Sequence, residues 1–239
     1  MSLFAAIQNS NVQTKEEDVL GGSRTVPSNV YPAGIKLAYL DKSAKGAICV
    51  VFDFALMVNG KERNHKETIY ISNAAGSFTY KDKKTGEDKP MPGFVTVDSI
   101  CKAITGKSIT QMTTEKKLVK IYDYTQKAEV PQEKEVLMDL VRGKLELGIQ
   151  ELTVDKTVKS DTGEYVPTGE TRDINELSKV FTEDGLTLVE KDAGKTETKF
   201  KEAWIAQYAD KKINKAKGAA SGAKAGSVTK PATTSPLFG

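Results

Sequence analysis

The stretch AICVVFDFALMV, residues 47–58, constrains the fold more than any other part of this chain. Alternate positions Ile48, Val50, Phe52, Phe54, Leu56 and Val58 share one face, and Ala47, Cys49, Val51, Asp53, Ala55 and Met57 share the other. β-Branched and aromatic residues at period two over that length specify a long strand buried on one side. Asn59-Gly60 follows, a pair that accepts the positive φ angles of a tight hairpin turn. The chain returns as HKETIYIS (65–72), with Ile69 and Ile71 on one face. Upstream, VYPAGIKLAYL (30–40) alternates Ile35, Leu37 and Tyr39 against Lys36 and Ala38, the pattern of a half-buried strand. Three consecutive strands with short turns form a meander.

Beyond it, the loop-rich NAAGSFTYKDKKTGEDKPMPGF contains KDKKTGEDK, an expected exposed hairpin tip. Residues 95–106 place Val97, Ile100, Cys101 and Ile104 at helical spacing, with Gly106 as the stop. A strand is expected at 116–124, a helix at 133–143 from apolar residues at i, i+3 and i+4, and a strand at 144–154. A long hairpin with an Asp-Thr-Gly tip then returns in a strand near Arg172 to Leu177. Phe200, Trp204 and Tyr208 form one stripe of a helix expected over 196–213. After Ile213 the composition of Lys, Ala, Gly, Ser and Thr cannot bury enough surface to offset chain entropy, so a disordered tail is expected.

At 239 residues the chain fits one large domain or a domain with a small appendage. No stretch approaches the roughly 18 apolar residues of a membrane span, so no membrane association is expected. The start MSLFAAIQNSNVQTKEED lacks the features of a secretory signal. Cys49 and Cys101 lie in apolar surroundings and are expected to be buried and reduced. The net charge of +3 is unevenly spread: six lysines and no acid lie between Lys211 and Gly239, which leaves 29 basic against 32 acidic residues before them, a net of −3. A polyanion must therefore be held by a local groove or by the tail.

Catalytic signatures are missing. The single histidine, His65, has no nucleophile motif to serve and is expected at the surface. There is no P-loop, no G-x-G-x-x-G and no Cys/His spacing for zinc, so no cofactor or metal is expected. Asp53, Asp98 and Asp123 are the carboxylates that a Mg²⁺-dependent nuclease would draw on, and a structural role is the simpler expectation for them.

What the sequence does carry is aromatic residues interleaved with lysines. Lys36, Tyr39 and Lys42, then Tyr70, then Phe78, Tyr80, Lys81, Lys83 and Lys84, then Lys120, Tyr122 and Tyr124 recur on or beside antiparallel elements. In KLVKIYDY the positions Leu118, Lys120, Tyr122 and Tyr124 share one face, with Val119 and Ile121 on the other. Unpaired bases stack on such rings while lysines track phosphates, a combination suited to single strands. Tyrosines are also ordinary strand formers and lysines ordinary solvated residues. A bent meander with an interposed helix is in addition what a five-stranded OB barrel looks like from sequence.

The blocks VYPAGIKLAYLDKSAKGA, KETIYISNAAGSFTYKDKKTG, MPGFVTVDSICKAITGK, KLVKIYDYTQKAEVP and YVPTGETRDINELSKVF, with a Lys/Ala/Gly tail ending LFG, resemble single-stranded-DNA-binding proteins of tailed bacteriophages. The resemblance implies a mainly β, OB-fold-like five-stranded barrel with extended hairpins, a C-terminal helix and a disordered tail. It also implies a non-enzymatic role coating single-stranded DNA during phage replication, recombination and repair, in the cytoplasm of an infected bacterium. The expected organisation is an arm over 1–24, the DNA-binding domain over 25–195, the helix over 196–213 and a basic tail over 214–239. Leu237 and Phe238 stand out in that tail as an apolar hook for replication, recombination or transcription proteins of phage or host. Many proteins of this class end in an acidic tail, and this one has no acid there. The alternatives are a virion or assembly protein using its β body for protein contacts, and a carboxylate-metal nuclease.

Overall fold

The computed structural model describes residues 25–123, 126–160 and 165–217. Strands β1 (Asn29–Lys42), β2 (Ile48–Val58) and β3 (Lys61–Tyr70) form the expected antiparallel meander. Asn59 and Gly60 turn between β2 and β3 with φ of 50° and 75°, the left-handed backbone that this residue pair tolerates. Short strands β4 (Thr79–Lys81) and β5 (Asp88–Pro90) form the expected small hairpin. It leads into helix α1 (Pro92–Thr105), which stops at Gly106 with φ 75°. Then come the hairpins β6 (Glu115–Asp123) with β7 (Ala128–Val136), and β8 (Lys144–Lys159) with β9 (Tyr165–Phe181). Helices α2 (Leu188–Asp192) and α3 (Lys199–Tyr208) and strand β10 (Lys212–Asn214) follow.

Strand β8 lies beside β1 and antiparallel to it, so the order β8-β1-β2-β3 is that of a Greek key, in which a fourth strand returns to flank the first. β9 continues the sheet beyond β8. Among the described residues no backbone ladder joins β3 to β9, and the sheet is open along that seam. The carboxylate of Glu67 on β3 accepts the N–H of Leu177 on β9 at 3.4 Å. α1 touches both strands and buries Val97, Ile100 and Cys101 against the core built on Phe52, Phe54, Ile35 and Leu147.

A second, smaller core lies on the opposite side of β1 and β2. The register shifts between Ile35 and Leu37, so Lys36 is an extra residue in β1. The bulge reverses the alternation: Ala33, Ile35 and Ala38 face the main core, whereas Leu37 and Tyr39 turn to the other side. There the β6–β7 hairpin lays Val119, Ile121 and Val136 against Tyr39, Cys49 and Val51. β2 is thus buried on both sides near Cys49 and Val51, not on one side as its alternation implies.

Three further expectations change. Residues 133–143 are not a helix: β7 runs to Val136, and only the 3-10 turn Met138–Leu140 follows. Pairing with β6, and with β1 at Tyr39 and Leu40, supplies the backbone partners that a helix would have provided. The last helix ends at Tyr208, because Asp210 takes a left-handed φ of 57° and β10 then pairs in parallel with β8. The first residues assigned to the tail are held along β8, where the Lys215 N–H donates to the Thr153 carbonyl and the Lys217 N–H to Asp155. The arm over 1–24, the Asp-Thr-Gly hairpin tip and the chain beyond Lys217 lie outside the described residues.

Candidate nucleic-acid interface

Tyr70 closes β3 with its ring half-exposed, and Phe78 and Tyr80 follow on the segment entering β4, exposed to a similar degree. Local hydrogen bonds fix this segment. The Asn73 side chain accepts the Ser77 N–H at 2.9 Å, and the Met91 N–H donates to the Phe78 carbonyl at 2.9 Å. The first turn of α1 ties the pieces together. Phe78 packs on Phe94 with ring centroids 5.7 Å apart, and the backbone of Gly93 lies against the Tyr70 carbonyl so closely that a Cβ there would sit 2.0 Å from the oxygen. That turn contains no acidic residue and has no side-chain cap.

The β4–β5 tip is organised by Asp82. Its carboxylate pairs with Lys89 at 2.7 Å and accepts the N–H groups of Lys84 and Thr85. The Lys89 bond, followed by those backbone bonds, holds the Asp82 carboxyl below the usual carboxylate range. Asp82 is thereby committed. Lys81, Lys83 and Lys84 are exposed around it with no ion-pair partner among the described residues. The structure therefore gathers Tyr70, Phe78, Tyr80, Lys81, Lys83 and Lys84 around one hairpin and one helix terminus.

The other expected contact residues stand apart. Tyr39 is only 3% exposed and belongs to the second core, so its ring has no free face for a base. Burial, with Asp41 adding to it, pushes its phenol up to about 12. The bulge at Lys36 is the physical cause of this correction. Lys36 itself is committed to Glu62 at 2.8 Å and Asn64 at 2.7 Å, and the Glu62 bond raises its pKa. Lys42 is exposed at the end of β1, and Lys45, which pattern reasoning passed over, is exposed in the following turn.

On β6 the expected division of faces holds: Val119 and Ile121 pack inward while Leu118, Lys120 and Tyr122 point out. However, the register sets Glu129 opposite Tyr122, Pro131 opposite Lys120, Glu133 opposite Leu118 and Glu135 opposite Lys116. Lys116 is bound to Glu133 at 2.9 Å. This face therefore carries more acids than lysines and is a poor track for phosphates. Tyr124, Leu237 and Phe238 lie outside the described residues.

Sequence reasoning missed an apolar cavity of about 340 Å³ beside Phe78, walled by Leu40, Ile48, Ile71, Phe94 and Met112. These residues come from separate segments, and no local pattern links them. His65 is also not a surface residue. It stacks on Phe54 at 6.3 Å on the core side of β3, and its Nε2 lies 3.0 Å from Glu67.

Among the described residues no three His, Cys, Asp or Glu side chains converge to hold a metal. Burial works to raise the Asp98 carboxyl, but bonds from Lys102, Ser108 and the Ile109 N–H outweigh it and hold the group below the usual range. Cys49 and Cys101 are free thiols, both buried, and burial pushes Cys101 up to about 12. No described helix is long and apolar enough to cross a membrane. No family model, curated protein or solved structure matches the chain.

Proposed function

We propose that this protein binds single-stranded DNA with little sequence preference, through the strip running from Tyr70 to Lys84, and acts by coating the strand without catalysis. One observation carries the reading: three half-exposed rings, Tyr70, Phe78 and Tyr80, lie on β3 and the segment that leads through the β4–β5 hairpin to α1, and the same hairpin carries Lys81, Lys83 and Lys84, which have no ion-pair partner among the described residues. Bases with free faces stack on such rings for about 1–3 kcal/mol each, and ammonium groups beside them track the backbone. A duplex hides its base faces, and reading its major groove calls for a helix rich in Arg, Asn or Gln. α1, PGFVTVDSICKAIT, offers none of these.

The strand order supports the same reading. A Greek-key order with a fifth strand beside β8, an open seam and a helix across it is consistent with the partly open OB barrel, whose sheet face and loops grip oligonucleotides. The negative balance of residues 1–210 fits a protein whose attraction for polyanions is local. The resemblance to phage proteins supplies the setting: replication, recombination and repair of phage DNA in the host cytoplasm. Titration with an unstructured oligonucleotide and with a duplex of equal length tests the proposal. Preference for the single strand is expected, whereas equal affinity for both, or binding to neither, overturns it.

A further inference from the structure

The cleft between α1, β9 and α2 presents an apolar surface with one unmatched charge. A cavity of about 270 Å³ there is walled by Val95 of α1, Val180 of β9 and Leu188 and Val189 of α2, and its only charged lining residue is Lys179. Val95 is 47% exposed and Val189 77%. The Lys179 ammonium lies 4.8 Å from the Phe200 ring centroid and has no carboxylate partner among the described residues. The acids around it are engaged elsewhere. Glu170, Asp173 and Glu176 of β9 pair with Lys156, Lys212 and Lys215 at 2.6–2.8 Å. On α2, Glu190 accepts the N–H groups of Thr187 and Phe200, and Asp192 acts on Lys102 alongside the stronger Asp98. Such a cleft fits a segment that brings apolar side chains together with surplus negative charge.

The chain before Thr25 is such a segment, and it enters beside the cleft. Residues 1–24 offer Leu3, Phe4 and Ile7, and the stretch from Lys15 to Asp18 carries Glu16, Glu17 and Asp18 against one lysine. The point of attachment is fixed: the Thr25 hydroxyl donates to Glu151, the Val26 N–H donates to the Asn175 side chain at 2.8 Å, and the Asn175 amide donates back to the Val26 carbonyl. Asn175 is four residues from Lys179 on β9, roughly 13 Å along the strand. The seven residues from Thr25 to Asp18 span up to about 25 Å when extended. Onward from Lys179 the same direction leads to Val180 and α2. The chain beyond Lys217 fits worse in charge and in position. It holds Lys224 and Lys230 and no acid, and Lys217 is held at Asp155, opposite Thr171 and eight residues of β9 away from Lys179. A DNA strand also fits worse, because valines present no ring for a base.

We propose that residues 1–24 dock along this cleft in the same chain, with Glu16, Glu17 and Asp18 beside Lys179 and with Leu3, Phe4 and Ile7 covering Val95 and Val189. So placed, the segment joins α1 to α2 across the edge of β9. This docking does not depend on the single-strand reading.

Methyl NMR of the full chain, with valines labelled, tests the docking without any ligand. Val95 and Val189 report on the cleft, and Val158, exposed far along the β8–β9 hairpin, is the control. The triple variant Leu3→Ala, Phe4→Ala, Ile7→Ala is expected to shift the Val95 and Val189 methyl resonances and leave Val158 in place. Lys179→Glu is expected to move Val189 in the same direction, and adding Glu16→Lys and Glu17→Lys to it should bring the resonance back toward its wild-type position. Unmoved Val95 and Val189 methyls in the triple variant overturn the proposal, as does failure of the charge exchange to restore Val189. So does the same shift produced by Phe238→Ala instead, or methyl positions that change on dilution, which would assign the occupant to another copy. Methyls that respond to oligothymidylate but not to the triple variant would overturn it in favour of a nucleic-acid groove.

Discussion

Replacing Tyr80 by alanine separates a stacking surface from a structural tyrosine. The ring is 45% exposed on a two-strand hairpin opposite Lys89 and lies in neither hydrophobic core. Its removal should change folding stability by no more than about 0.5 kcal/mol, as for surface substitutions generally. A lost base stack costs about 1–3 kcal/mol, equivalent to a rise in Kd of roughly 5- to 150-fold. Fluorescence anisotropy with a labelled oligothymidylate measures the second quantity, and urea denaturation measures the first. Tyr39→Ala should do the reverse. That ring is packed against Cys49, Val51, Val119 and Val136, so truncation should cost on the order of 3–5 kcal/mol of stability. Unchanged affinity in Tyr80→Ala would remove it from the interface, and a stability loss of several kcal/mol would show that it is core.

The triple variant Lys81→Ala, Lys83→Ala, Lys84→Ala should flatten the plot of log K against log salt by about 2, from about 0.7 per lost phosphate contact on a single strand; an unaltered slope would assign the phosphate contacts elsewhere. Gly93→Ala forces a Cβ to 2.0 Å from the Tyr70 carbonyl and should cost about 1–3 kcal/mol by displacing α1 from β3. A wild-type melting temperature in that variant would contradict the close approach. Glu190 accepts N–H bonds from Thr187 and Phe200, which hold its carboxyl below the ordinary value of 4.5. The folded form therefore takes up that proton less readily than the unfolded chain, so the stabilisation is full above about pH 4.5 and is lost as pH falls through the lower folded value. Glu190→Gln should melt at a lower temperature at pH 7 and lose less on acidification; identical pH profiles would refute this.

How far the sequence revealed the structure depended on how local each cause was. The meander was legible because large apolar residues occupy every second position from Ile48 to Val58 and Asn59-Gly60 encodes the turn. α1 was legible because Val97, Ile100 and Cys101 repeat at helical spacing and Gly106 stops the helix. Tyr39 was misplaced because a single-residue bulge reverses the alternation, and only pairing with β2 reveals it. Val136, Leu137, Leu140 and Val141 imitate helical spacing, but they belong to a strand end and a 3-10 turn shared between two cores. Likewise, the lysines and tyrosines of β6 looked like a cationic surface until β7 set Glu129, Glu133 and Glu135 opposite them. The Phe78–Lys84 cluster was legible because its residues are neighbours in sequence. The cavity beside it was not, since its walls meet only through the tertiary fold.

Photocrosslinking tests the central claim most directly. An oligonucleotide carrying 5-iodouracil, irradiated in complex with the full chain at low salt, attaches to aromatic rings stacked on its bases. The account predicts adducts on peptides containing Tyr70, Phe78 or Tyr80, all suppressed by excess unlabelled single strand and not by duplex. Adducts confined to other parts of the chain, or equal suppression by duplex, would contradict it.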